Sequence, residues 1–171
     1  MCAHDITTAV VYLKNRITRG WPPQEENVLH KSIPDNERAS FRDRLLPVIA
    51  ASSSLIRGQL IPILQTILNH DFPAKWPTFM DVTLQLLNTN DAASVLAGLQ
   101  CLLSICRTYR FKARETRADL DKIVTVAFPP LLNLGNKLVE EDSAQAGEML
   151  RLVVKCYKHA IYVSRKLCIY K

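Results

Sequence analysis

Two His-Asp dipeptides, His4-Asp5 and His70-Asp71, and five cysteines are the residues of this sequence best suited to chemistry. An imidazole beside a carboxylate can share a metal ion, and paired thiolates can hold zinc. Neither pattern is completed. His70-Asp71 stands at a helix end before Phe72-Pro73, where aspartate serves a turn and histidine faces the negative end of the helix dipole. Cys2, Cys101, Cys106, Cys156 and Cys168 form no CxxC pair and no Cys/His ligand spacing, so no metal site is expected. Cys101 and Cys106 fall in an apolar helix, where cysteine acts as a small hydrophobe, and the usage suits a reducing compartment. The glycines are isolated, so no loop can cradle phosphate, and no GxSxG or Cys/His arrangement supplies a nucleophile. The expectation is a protein that is not an enzyme, with no catalytic residues and no cofactor.

What remains is a polar row. The stretch "AVVYLKNRITRGW" (9–21) is apolar, then basic, then aromatic. Lys14, Asn15, Arg16 and Arg19 are either the solvated side of a core helix or groups presented to a partner. A second basic cluster, "RTYRFKARETR" (107–117), sets Arg107, Arg110, Lys112, Arg114 and Arg117 against Glu115 alone. It is a possible partner loop. The net charge of +6 over 171 residues is otherwise scattered, which argues against nucleic acid as a partner. With 48% apolar and 22% charged residues the chain reads as globular. No unbroken apolar run approaches the roughly 18 residues of a membrane helix, and the N-terminus does not read as a secretory signal. No membrane partner is expected.

The elements that must position these residues are helical. Ile6, Val10, Leu13 and Ile17 follow one helix face from about Asp5 to Gly20, and Pro22-Pro23 forbid continuation. A second helix begins near Pro34, buries Phe41, Leu45, Val48 and Ile49, and contains Pro47 as a kink. "ASSS" then breaks the chain and offers N-cap hydroxyls. A third helix, about 54–69, carries Ile56, Leu60, Ile63, Leu64 and Ile67 around Pro62. A fourth, from Thr78 to Leu87, turns Phe79, Val82 and Leu86 inward. A fifth, capped by Asp91, packs through Val95, Leu99, Leu102, Leu103 and Cys106. The sixth is bent at Pro129-Pro130, and the seventh uses Ala146, Met149, Leu150, Val153 and Tyr157.

The first members of successive helix pairs begin near Pro34, Pro77 and Arg117, a period of roughly 40 residues that suits HEAT or armadillo units. The expected fold is all-α: an α-α superhelix of about three and a half repeats, with a closed helical bundle as the rival.

The 9–21 stretch and, later, "HDFPAKWP" (70–77) resemble landmarks of the N-terminal region of importin-beta superfamily (karyopherin) transport receptors. "IRGQLIPILQTILNHD" and "AGLQCLLSICRTYRFK" resemble the importin seven-and-eight branch and its fungal counterparts. The resemblance spans about residues 5–162. It implies nucleocytoplasmic transport of proteins, with Ran in its GTP form, cargo proteins and Phe-Gly nucleoporins as partners, in cytoplasm, nucleus and pore. In this family the second helices of the early repeats contact Ran. By position that implies Lys14 and Asn15 in the first such helix, Arg57 and Gln59 in the second, and Gln100 in the third. Trp21 and Trp76 are assigned to packing at helix ends.

The family's first repeat starts with another helix upstream. Residues 1–22 are therefore expected to be the second helix of an incomplete first repeat, 23–163 three further repeats, and 164–171 a tail unlike the family. The alternative function is a HEAT scaffold or adaptor that binds protein or RNA without a nucleotide switch.

Overall fold

The computed structural model describes residues 3–22, 32–110 and 117–165, and among these all regular structure is helical. The helices are α1 (Ala3–Gly20), α2 (Asp35–Ala51), α3 (Ser54–Asp71), α4 (Phe79–Leu87), α5 (Ala92–Tyr109), α6 (Arg117–Val139) and α7 (Ala144–Arg165). They fall into two compact units, Met1–Pro77 and Thr78–Lys171. Short connections pair α2 with α3, α4 with α5 and α6 with α7. Within each unit another helix also lies along the second member of a pair, α1 on α3 and α5 on α7. This is the packing of an α-α superhelix of HEAT type.

In the first unit the core is Ile17, Trp21, Leu45, Leu46, Ile49, Leu60, Ile63, Leu64, Ile67 and Leu68, all buried. The lateral contact with α3 covers Ile17 of the α1 stripe and leaves Ile6, Val10 and Leu13 half-buried. On α2 the expectation for Val48 is corrected: it is 48% exposed, and Leu46 is buried in its place. The inward direction of α2 lies between Leu45, Leu46 and Ile49. Val48 is turned past the edge of that arc, as a 100° step per residue requires. Pro47 and Pro62 lie inside α2 and α3 on their exposed sides, where water can reach the carbonyls one turn back.

The serines between α2 and α3 do not cap α3 as expected. Ser53 stands at its N-cap without a side-chain bond, while Ser52 Oγ donates back to Val48 O at 2.6 Å. Asp91 does cap α5, accepting from Ser94 N at 2.9 Å.

The second unit is built around α5, whose Val95, Leu99, Leu102, Leu103 and Cys106 are buried as the periodicity requires. This helix is 18 residues long and apolar enough to cross a membrane, but 72% of it is buried within the protein. Those are the marks of a core helix. Gly98 allows α4 to approach: a Cβ there would lie 3.1 Å from Leu86 Cβ and from Leu87 Cγ. Phe128 of α6 meets Tyr157 of α7 edge-on at 4.7 Å, and the Tyr157 hydroxyl donates to Phe128 O at 3.2 Å. Val82, Leu86, Leu150 and Tyr157, expected inward, are half-buried, and Thr83 and Leu87 occupy the interior side of α4.

Candidate functional site

Burial of Ile17 on one side of α1 leaves Lys14 half-buried and Asn15 exposed on another. The α1–α3 contact then brings Gln59 within reach. Lys14 Nζ donates to Gln59 Oε1 at 2.8 Å, across 45 residues of sequence. A neutral acceptor holds the ammonium in place without cancelling its charge, so the cation and the Gln59 amide protons can still meet an incoming carbonyl or carboxylate. One turn before Gln59, Leu55 is 63% exposed and adds apolar surface to the same side of α3. Leu55 escaped the sequence reading because an apolar residue at a helix start reads as core.

Arg57 is a correction. It is 5% exposed, and its guanidinium faces the end of α2: Nε donates to Ile49 O at 3.0 Å, and Nη2 to Ser52 O at 2.7 Å and Ala50 O at 3.4 Å. Ala50 O and Ser52 O lie past the last helical donor, and Ile49 O accepts from Arg57 as well as from the cap N–H of Ser52 at 3.4 Å. Arg57 is a structural clamp and does not belong to a presented surface.

Arg38 does the same for α1, donating to Trp21 O at 2.9 Å, Gly20 O at 3.3 Å and Ile33 O at 2.8 Å. Its guanidinium also lies 5.3 Å from the Trp21 ring centroid, a cation–π contact. Trp21 is fully buried with Phe41 at 5.9 Å, and Trp76 is 4% exposed, so both pack at helix ends as expected. Asp71, the carboxylate of the second His-Asp pair, is buried and bonded to Arg42 at 2.5 Å, while His70 is exposed. Among the described residues no three His, Cys, Asp or Glu side chains converge as a metal site.

Gln100 belongs to the second unit, half-buried on α5, and its Oε1 is buried without a hydrogen-bond partner. Of the basic cluster, Arg107 is exposed and Arg110 half-buried at the end of α5. Arg117 opens α6, and Lys112 and Arg114 lie outside the described residues. The charges of Arg107 and Arg110 reach His159 of α7, which with Lys155 and Lys158 went unnamed in the sequence reading. Burial lowers the His159 pKa below its ordinary value, and the charges of Arg107, Arg110, Lys158 and Lys155 lower it further. The available signal was the spacing of Arg151, Lys155 and Lys158 opposite the apolar stripe of α7.

Cys101, Cys106 and Cys156 are buried free thiols. A hydrogen bond with Cys106, then burial, push the Cys156 thiol well above its ordinary range. It stays protonated, an interior hydrophobe. The arrangement as a whole offers recognition by hydrogen bonds and charge.

The model of the importin-beta N-terminal domain matches residues 7–51. The chain is similar to "Nonsense-mediated mRNA decay protein 5" of Saccharomyces cerevisiae, 32% identical over 169 residues covering 91% of this chain and 16% of that protein. Human importin-8 is 31% identical over 153 residues, covering 87% of this chain and 15% of that protein. The chain therefore spans about 15% of the length of these relatives. Among solved structures, the exportin Cse1 in its cargo-free, cytoplasmic state superposes with a TM-score of 0.77 at 20% identity. It covers 91% of this chain and 18% of that one. That likeness establishes the helical superhelix fold.

Proposed function

The chain belongs to the importin-beta superfamily, and on that premise we propose that the α1–α3 face is part of a surface for the GTP form of the small GTPase Ran. The receptor would carry protein cargo between cytoplasm and nucleus and meet Phe-Gly nucleoporins at the pore. It has no enzymatic step and takes no cofactor. The observation that carries this reading is the Lys14–Gln59 bond, which ties the polar rows of two successive second helices together at 2.8 Å. Asn15 stands exposed beside it, and Gln100 on α5 of the second unit is a further candidate by the family resemblance alone, its Oε1 buried. Arg57 is left out, because its guanidinium is bonded inside the protein. The division into 1–22, 23–163 and 164–171 belongs to the same proposal: α1 as the second helix of a first repeat, and three helix pairs after it.

A GTPase held through its nucleotide-dependent switch must bind in one nucleotide state only. Binding of Ran loaded with a non-hydrolysable GTP analogue is expected, with little binding of Ran-GDP. Replacing Lys14 and Asn15 together by alanine should weaken the GTP-form complex by about tenfold, or about 1.4 kcal/mol. Equal retention of both nucleotide forms would instead favour a scaffold without a nucleotide switch. An unchanged affinity in the double variant would remove these residues from the site.

A further inference from the structure

Three cations line the solvent side of α7, and the charge of Arg107 on α5 reaches its His159 edge. On α7, Arg151, Lys155 and Lys158 follow i, i+4, i+7, and His159 adjoins them. Tyr157, which meets α6, points the opposite way from Lys155, because two residues turn a helix by about 200°. Lys155 and His159 therefore lie on the side of α7 turned away from α6. The α5 helix borders that side. Cys156 Sγ lies 3.9 Å from Leu99 O, and His159, one turn further on, feels the charges of Arg107 and Arg110. Arg107, Arg151 and Lys158 are exposed and Lys155 half-buried. The ion pairs at Arg38, Arg42 and Lys122 involve none of these four residues. Glu148, exposed one turn before Arg151, is the one carboxylate of α7 on that side; the cations outnumber it, and a polyanion relieves the repulsion that remains.

We propose that Arg107, Arg151, Lys155 and Lys158 form a docking strip for an acidic polypeptide segment. An extended chain sets alternate side chains about 7 Å apart. Arg151 and Lys158 are separated along the helix by about 10 Å, so two or three carboxylates match the strip. Single-stranded nucleic acid would want aromatic platforms beside the cations. The described aromatic side chains of α5 and α7 offer none: Tyr109 is 2% exposed, and Tyr157 is half-buried against Phe128. The strip lies within one unit and does not depend on the GTPase reading.

The test is fluorescence anisotropy of a labelled poly-glutamate peptide of about ten residues, titrated with the whole chain at low salt. The peptide should bind, and Lys155→Glu/Lys158→Glu should weaken it by about tenfold while leaving the thermal melt in place. Lys137→Glu on α6 changes one exposed charge away from the strip and should alter affinity by less than about twofold. Lys14→Ala should bind the peptide as the parent does, which separates failure of this proposal from failure of the GTPase reading. Three results would overturn it. One is a loss of about threefold or more in the Lys137 variant, which is what its half-as-large charge change gives when net charge alone is read. Another is tighter binding of a uridine oligonucleotide of the same length. The last is self-association abolished by the double variant without peptide binding, which would assign the strip to the acidic turn Glu140–Asp142 of a second copy.

Discussion

The two units use their cations in opposite ways. In the first, Arg38, Arg42 and Arg57 are turned inward onto helix-end carbonyls and a buried aspartate. In the second, Arg107 and Lys158 are exposed and Lys155 is half-buried, and the interior is apolar around α5. The lesson is that basic content does not locate a binding surface. A guanidinium can be part of the core when a helix terminus supplies several carbonyls to it, because these are the ones with few or no intrahelical donors. A lysine ammonium, compact and strongly hydrated, suits that role poorly, and the three inward positions are all arginine.

The contrast can be broken most forcefully at Arg57. Arg57→Ala should lower unfolding free energy by about 2–3 kcal/mol, because Ile49 O keeps only its 3.4 Å bond from Ser52 N, and the part-buried Ala50 and Ser52 carbonyls lose their charged donor. A urea titration reads this directly. Arg57→Lys should recover only part, since one ammonium cannot span Ile49 O and Ser52 O in the fork geometry. Unchanged stability with lost GTPase binding would return Arg57 to the surface and erase the comparison.

A smaller effect is expected where the second unit relies on close apolar packing. Gly98→Ala sets a methyl group 3.1 Å from Leu86 and Leu87 and should cost about 1–3 kcal/mol as α4 moves away. A neutral or stabilising result would mean that α4 gives way without strain.

The smallest effect is electrostatic. His159 has a folded pKa below its ordinary 6.5, so the unfolded chain binds the proton more readily. Its contribution to stability is complete above that ordinary value and is lost as pH falls through it toward the lowered folded value. His159→Gln should flatten this slope in melts taken between neutral and mildly acidic pH. An identical slope in the variant would mean that the cations of α5 and α7 do not crowd His159.

Much of the fold was legible because apolar spacing reports a helix face wherever one side is buried. Leu60, Ile63, Leu64 and Ile67 on α3, and Val95, Leu99, Leu102, Leu103 and Cys106 on α5, are all interior as read. The reading failed at arc edges such as Val48, where a small rotation of the helix exchanges it for Leu46. The candidate site was legible in part. Lys14, Asn15 and Gln59 were chosen by resemblance, and no local pattern announces that the first and last of them touch.

The amino-acid order alone determined the helices, their ends and their apolar sides, since these follow from backbone periodicity, proline and turn chemistry within a few residues. Only tertiary structure decided the role of each charged side chain. Arg57 and Lys155 look equivalent along the chain. The first meets the end of α2 and is buried there, whereas the second meets other cations at an open surface. The neighbours that fix such an outcome come from other helices, and their approach is set by packing of the whole unit.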